Sequence, residues 1–300
     1  EVMFSQQQKE FLSKIRSISR SRSLHRTFSD WLEVAAISMH QLPYHSGELP
    51  KDYDFEALEA CYMKQIKLYS KDELLVFSEL LGLTISAHHN DYGDFLGEIA
   101  GEAALLSKRG GQFFTPYSLC QMMAKMSFGS VKSQIEEKGV LTVCEPAVGA
   151  GALVIASAEE VASQGVNPCA HLQFDCTDVS RDAFNMAYIQ LSALGLQAIV
   201  HHGNTLSMEI WESRPTLQLR MFDQWLESKR EEQRLVQSMQ SLLAGTYTAE
   251  PESWDSGSAG ETSSNQPLFD LEQFSGESSK RQRSHQKPDV VLDRQMNLFG

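Results

Sequence analysis

Apolar residues in the first third of the chain recur three and four positions apart. Phe28, Trp31, Leu32, Ala35, Ala36 and Met39 form one such stripe, the spacing of a helix with one buried face. Pro43 and the Ser46-Gly47 pair interrupt the pattern, and further helices are predicted from Asp54 to Tyr69 and from Asp72 to Leu83. Residues 1–104 therefore read as a helical domain. Near residue 140 the pattern changes. Val140 to Cys144 is a short apolar run between Gly139 and Pro146, and from Ala152 the composition becomes helical. A second strand is predicted over 171–178, then a helix from Asp182 to Leu194, then a third strand from Gln197 to His202. Strands alternating with helices predict an α/β fold. From Leu217 to Leu243 the chain reads as one polar helix, with no further strand expected.

The turn after the first strand carries the candidate chemistry. It reads Glu145-Pro146-Ala147-Val148-Gly149-Ala150-Gly151. Glycines there permit backbone angles and a close ligand approach that a side chain would obstruct. Open α/β sheets bind nucleotides at such turns, at the carboxyl ends of their strands. A tight structural turn would need the same residues.

Two upstream segments narrow the reading. Asp91-Tyr92-Gly93-Asp94-Phe95-Leu96-Gly97-Glu98-Ile99 leads into Gly110-Gly111-Gln112-Phe113-Phe114-Thr115-Pro116. With the Glu-Pro-glycine turn following in the same order, these segments resemble the N6-adenine DNA methylase family, which includes the modification subunits of type I restriction enzymes. The resemblance covers roughly Asp91 to Leu206. It implies a reduced, Rossmann-like class I methyltransferase domain over 105–244 and S-adenosylmethionine as cofactor. In that family the Phe-x-Thr-Pro segment lies beside the cofactor's methionine end, which points to Phe113, Thr115 and Pro116. A helix start at Thr115, as N-cap, with Pro116 following suits a carboxylate and is equally an ordinary cap.

The resemblance places the cofactor at Glu145, Pro146, Gly149 and Gly151, and its ribose at the acid ending the second strand. That acid is Asp178, with Asp175 as the alternative. A carboxylate can accept both ribose hydroxyls; capping a helix is the other use for it. Where the family often has Gly-Asp-Thr-Leu, this chain has Gly203-Asn204-Thr205-Leu206. Asn204 keeps an acceptor oxygen without the charge. His201 and His202 end the third strand, where alternation lets only one face the site.

The family's acceptor motif, Asp/Asn/Ser-Pro-Pro followed by an aromatic, has no match in the sequence. Its polar group and proline carbonyl hold the target amine of a flipped base. No catalytic residue is assigned. Two readings follow: a DNA methyltransferase of N6-adenine type acting on or at DNA, or a non-catalytic homologue that binds DNA or a restriction or replication complex.

Composition limits the partners. No apolar run is long enough to span a membrane. The five cysteines, Cys61, Cys120, Cys144, Cys169 and Cys176, lack paired spacing and read as free thiols of a cytoplasmic protein, without a metal site; the family resemblance implies a bacterial, phage or plasmid origin. Net charge is -13, the wrong sign for generic phosphate binding. Lys9, Lys14, Arg16, Arg20, Arg22 and Arg26 nevertheless cluster near the start, as either a nucleic-acid patch or a solvated helix face.

Residues 245–300 are rich in Ser, Gly, Glu, Gln and Asn and read as a disordered tail. Near its end, Gln295-Met296-Asn297-Leu298-Phe299 resembles the peptide that binds the bacterial β sliding clamp. There a glutamine amide and apolar anchors, here Gln295, Met296, Leu298 and Phe299, fill a groove. A hydrophobic patch docking on the protein's own core is the plainer use of such residues.

Overall fold

The fold was analysed in a computed structural model, which describes residues 5–20, 22–102, 115–222, 234–236 and 239. The first part is helical: α1 (Gln6–Ile18), α2 (Leu24–Ser46), α3 (Tyr53–Ile66), α4 (Lys71–Asn90) and α5 (Phe95–Glu102). Their starts follow from side-chain caps. Ser5 and Gln8 form a capping box on α1, as Ser70 and Glu73 do on α4, while Ser23 and Asp52 cap α2 and α3.

The predicted stripe on α2 is core. Phe28, Trp31, Leu32 and Ala36 are fully buried. Phe11 of α1 meets Trp31 edge-on with centroids 5.0 Å apart, and the indole N–H donates to the Phe77 carbonyl at 3.1 Å. Pro43 does not break α2 as its sequence suggests. It lies inside the last turn, and the helix ends at Gly47 in the left-handed region, φ 84°. Pro43 O accepts from Glu48 N and Leu49 N there. Helix α4 also outruns its predicted end at Leu83, because Thr84 and His88 are buried by tertiary packing.

The second part contains α6 (Tyr117–Ser127), α7 (Lys132–Lys138), β1 (Leu141–Glu145), α8 (Ala152–Ser163), α9 (Pro168–His171), β2 (Leu172–Asp178), α10 (Arg181–Ala193), β3 (Gln197–Asn204) and β4 (Glu209–Pro215). The sheet runs in the order β1-β2-β3-β4. The first three strands are parallel and β4 returns antiparallel to β3. Register pairs Glu145 with Cys176 and Asp178 with His202, so Glu145, Asp178 and Asn204 all reach the carboxyl edge of the sheet.

Strand β4 corrects the expectation of three strands. Its residues, Glu-Ile-Trp-Glu-Ser-Arg-Pro, place charges inward and leave Ile210 and Trp211 about half exposed. Simple alternation reads such a segment backwards. The inward charges have partners on α2 and α10. Arg181 holds Glu33 with two bonds, Nε–Oε2 at 2.8 Å and Nη2–Oε1 at 2.5 Å, and also binds Glu212. Arg214, 1 % exposed, contacts Glu212 at 2.6 Å, Asn185 at 3.2 Å and Glu33 at 3.5 Å. Burial pushes the Glu33 carboxyl up, but the two guanidiniums prevail and hold it down at about 2. This network ties the first helices to the sheet.

Contacts divide the chain into two units, Glu1–Thr246 and Tyr247–Gly300, and every described residue belongs to the first. No helix among the described residues is long and apolar enough to cross a membrane.

Candidate functional site

The turn between β1 and α8 is held in place by its own surroundings. Gly149 and Gly151 have φ of 58° and 104°, the conformations for which the sequence supplies glycine. Val148 N donates to Thr177 O at 3.0 Å and Gly151 N to Val148 O at 2.9 Å. Gly149 N donates to Asp178 Oδ2 at 2.9 Å. The other Asp178 oxygen accepts from Ser180 N at 2.8 Å. Glu145 Oε1 accepts from Ala147 N at 3.1 Å. The turn after β3 is tied in as well, since Thr205 Oγ1 donates to Pro146 O at 2.7 Å.

Helix α8 starts at this turn with Gly151 as N-cap and no side-chain cap. Helix starts leave unsatisfied N–H groups at the positive end of the helix dipole. A ligand carboxylate or other anionic group suits them. Small residues let α6 lie close to α8: Cys120 and Ala124 pack against Ala152 and Ala156. Tyr117 Oη and Gln121 Nε2 both donate to Glu159 Oε2, at 2.8 and 2.9 Å. Helix α6 thus presents its N-terminal end alongside α8.

The structure brings most residues singled out from the sequence to this edge. Glu145, Pro146, Gly149, Gly151, Asp178 and Asn204 are joined by the turns just described. Thr115 and Pro116 lead into α6. The helix starts one residue later than expected, with Pro116 as N-cap and no side-chain cap, so Thr115 does not cap it. Thr115 is exposed. Phe113 lies outside the described residues. Asn204 Oδ1 accepts from Leu206 N at 3.0 Å and Ser207 N at 3.4 Å, shaping the turn into β4.

The two acids at β2 separate clearly. Asp178 is buried at the strand end and braces the glycine turn. Each of its oxygens has further acceptor capacity. Asp175 contacts His201 instead, 3.3 Å from Nε2, and His201 Nδ1 meets Ser213 Oγ at 2.7 Å. His202 turns the other way, against Phe184 and Trp211. Burial, reinforced by Arg181, lowers its pKa to about 4, so it is neutral at pH 7. The alternation expected of the two histidines holds.

Val179 and Gln190 escaped the sequence reading, and Asp94 entered it only as part of a motif. Val179 follows the buried acid yet is 59 % exposed, an apolar surface directly beside Asp178. Gln190 is buried and donates to Ala150 O of the glycine turn, and buried Asp94 accepts from Gln190. The Asp94-x-x-Gly97 spacing is the one signal that pointed to Asp94. Gln190 sits in the middle of an apolar helix and gave none.

Three of the six basic residues near the start are engaged in ion pairs. Lys14 pairs with Glu79, Arg22 with Glu73 and Arg26 with Asp30. Such pairing weakens their use as a phosphate-binding patch. Among the described residues no cluster of His, Cys, Asp and Glu fits a metal ion.

Residues 90–227 match the family model for N-6 DNA methylase. No curated protein and no solved structure matches the chain. The matched stretch opens beside Asp91, where the sequence resemblance opens, and runs on past Leu206 through β4 into the helix after it. Over residues 90 to 227, which hold the glycine turn and the whole sheet, the chain is thus similar to the N6 DNA methylase family.

Proposed function

We propose that this protein binds S-adenosylmethionine, or its demethylated product, at the carboxyl edge of β1, β2 and β3, and acts at DNA as an N6-adenine-type methyltransferase. The observation that carries the reading is the Gly149–Asp178 contact beside the uncapped start of α8. It joins a glycine turn, a buried acid and unsatisfied helix amides in one small region. The fit to the cofactor is chemical. The first-turn amides of α8 suit its carboxylate. Remaining lone pairs on Asp178 suit ribose hydroxyls, and exposed Val179 offers an apolar face to adenine. Thr115, Pro116 and Phe113 would flank the methionine end, with Glu145 and Asn204 completing the polar rim. The cofactor, when bound, supplies an electrophilic methyl group. The chain's part is to bind it, orient it and keep the turn rigid.

A second reading, a non-catalytic homologue that holds the cofactor at DNA, is favoured by one feature. The stretch directly after the cofactor half returns as the antiparallel strand β4 rather than presenting an Asp/Asn-Pro-Pro-aromatic acceptor. Transfer to an amine requires a group that aligns the nitrogen with the methyl carbon. The clamp-like peptide from Gln295 to Phe299 lies outside the described residues. In this proposal it recruits the chain to newly replicated DNA, raising local concentration where net charge opposes binding.

Calorimetry with S-adenosylmethionine and its demethylated product tests the binding reading; absence of heat from folded protein rejects it. Mass spectrometry of DNA after incubation with protein and cofactor separates the two readings. N6-methyladenine that disappears on changing Glu145 and Gly149 selects the enzyme; unmodified DNA from cofactor-binding protein selects the non-catalytic homologue.

A further inference from the structure

Gln190 sits in the middle of α10 and is fully buried. A glutamine side chain offers two N–H donors and an oxygen with two lone pairs, and here every one is used. Nε2 donates to Ala150 O at 2.7 Å and to Asp94 Oδ1 at 2.9 Å. Oε1 accepts from Leu96 N at 2.9 Å and meets His88 Nε2 at 3.1 Å. Burial lowers the His88 pKa to about 4, so the neutral ring fills this contact by donating from Nε2. One amide therefore touches α4, the start of α5 and the glycine turn.

Asp94 is the second member. Its Oδ1 also accepts from Gly97 N at 3.0 Å, closing the start of α5. A Cβ on Gly97 would fall 2.0 Å from Asp94 Oδ2, which accounts physically for the Asp-x-x-Gly spacing. Ala150 lies between the two glycines of positive φ. Its carbonyl is the one acceptor of the turn held by a side chain from α10.

We infer that Gln190 is a positioning residue that fixes the Ala150–Gly151 peptide and couples the cofactor turn to the packing of α4 and α5. The ligand part of this inference rests on the cofactor reading above; the positioning part does not. Glycine-rich turns sample many conformations, and binding through backbone amides requires one of them. The Gln190 donor removes that freedom before the ligand arrives. The helical segment consequently contributes to binding without touching the ligand.

The test uses the full chain, with Gln190→Met and the paired variant Asp94→Asn with Gln190→Glu. The pair restores a donor–acceptor contact between 94 and 190 and keeps an acceptor for Leu96 N, but sets a carboxylate against Ala150 O. Hydrogen exchange of unliganded protein is followed over 145–155, alongside thermal melting and calorimetry with the demethylated cofactor. Expected are faster exchange in both variants and binding weaker by about tenfold, the scale of a lost buried hydrogen bond. The paired variant should recover melting temperature relative to Gln190→Met yet keep the fast exchange, which a purely structural role would not produce. Exchange over 145–155 unchanged in the paired variant overturns the positioning role, even if Gln190→Met fails to fold. Wild-type protein that binds neither cofactor form, with fast exchange in the variants, rejects the cofactor reading and leaves the positioning role standing. Binding within twofold of wild type despite faster exchange overturns the coupling to the ligand.

Discussion

The Asp178 carboxylate accepts the Gly149 N–H at 2.9 Å, bridging the end of β2 to the turn that leaves β1. The acid that the sequence offers for ribose is thus also a strut of the glycine turn. Replacing it should damage both roles. Asp178→Ala is expected to weaken cofactor binding by about 1.5–3 kcal/mol and to lower the melting temperature as well, since the part-buried Gly149 N–H loses its carboxylate partner. Asp178→Asn keeps one acceptor oxygen and should lie between wild type and Ala in both calorimetry and melting. Equal melting temperatures for all three would remove the strut.

Gly151 tests the turn from the backbone side. At φ 104° an L side chain is strained, although the nearest atom to an added Cβ, Ala187 Cα, is a comfortable 3.7 Å away. The penalty of Gly151→Ala is therefore conformational rather than steric. It should be about 1–3 kcal/mol in urea denaturation, with loss of cofactor binding. A stability change near zero would show that the turn relaxes freely.

Glu33 should govern stability in acid. Its folded pKa of about 2 lies below its ordinary 4.5, so its contribution is complete above pH 4.5 and disappears as pH falls toward 2. Glu33→Gln leaves Arg181 and Arg214 short of a buried counter-charge and should cost about 3–5 kcal/mol at pH 7. The variant's stability should then depend less steeply on pH between about 4.5 and 2. Parallel curves for variant and wild type across that range would contradict this account.

The terminal peptide makes an independent prediction. A fluorescent peptide spanning Val291 to Gly300 should bind purified clamp with affinity in the micromolar range, as expected of a short motif with few anchors. Replacing Leu298 and Phe299 together by Ala should abolish the interaction. Binding indifferent to that double change would assign it to charge or general stickiness.

Several features were legible from sequence for definite physical reasons. Helical spacing marked the buried face from Phe28 to Ala36, because a surface helix must be apolar on one side. The order of Asp94-x-x-Gly97, Thr115-Pro116 and Glu145-Pro146 with two glycines located the glycine turn, because backbone angles near φ 58° and 104° demand glycine locally. The acid ending β2 was legible too, as a polar residue closing an apolar run. One miss is local in origin. Pro43 fits within α2 because its last turn is closed by Gly47, a balance between neighbours that no single residue announces.

The sequence by itself determined which segments become helices and parallel strands, and where the backbone must turn on glycine. Those outcomes rest on interactions between residues close in the chain. Only the tertiary structure decided that Glu212 and Arg214 point inward to meet Glu33 and Arg181, making a strand of a segment whose pattern says otherwise. It likewise decided that Asp178 rather than Asp175 reaches the turn, and that Gln190 joins Ala150 to Asp94. Each depends on partners far away in sequence, and a buried charge or amide is stable only when those partners are in place.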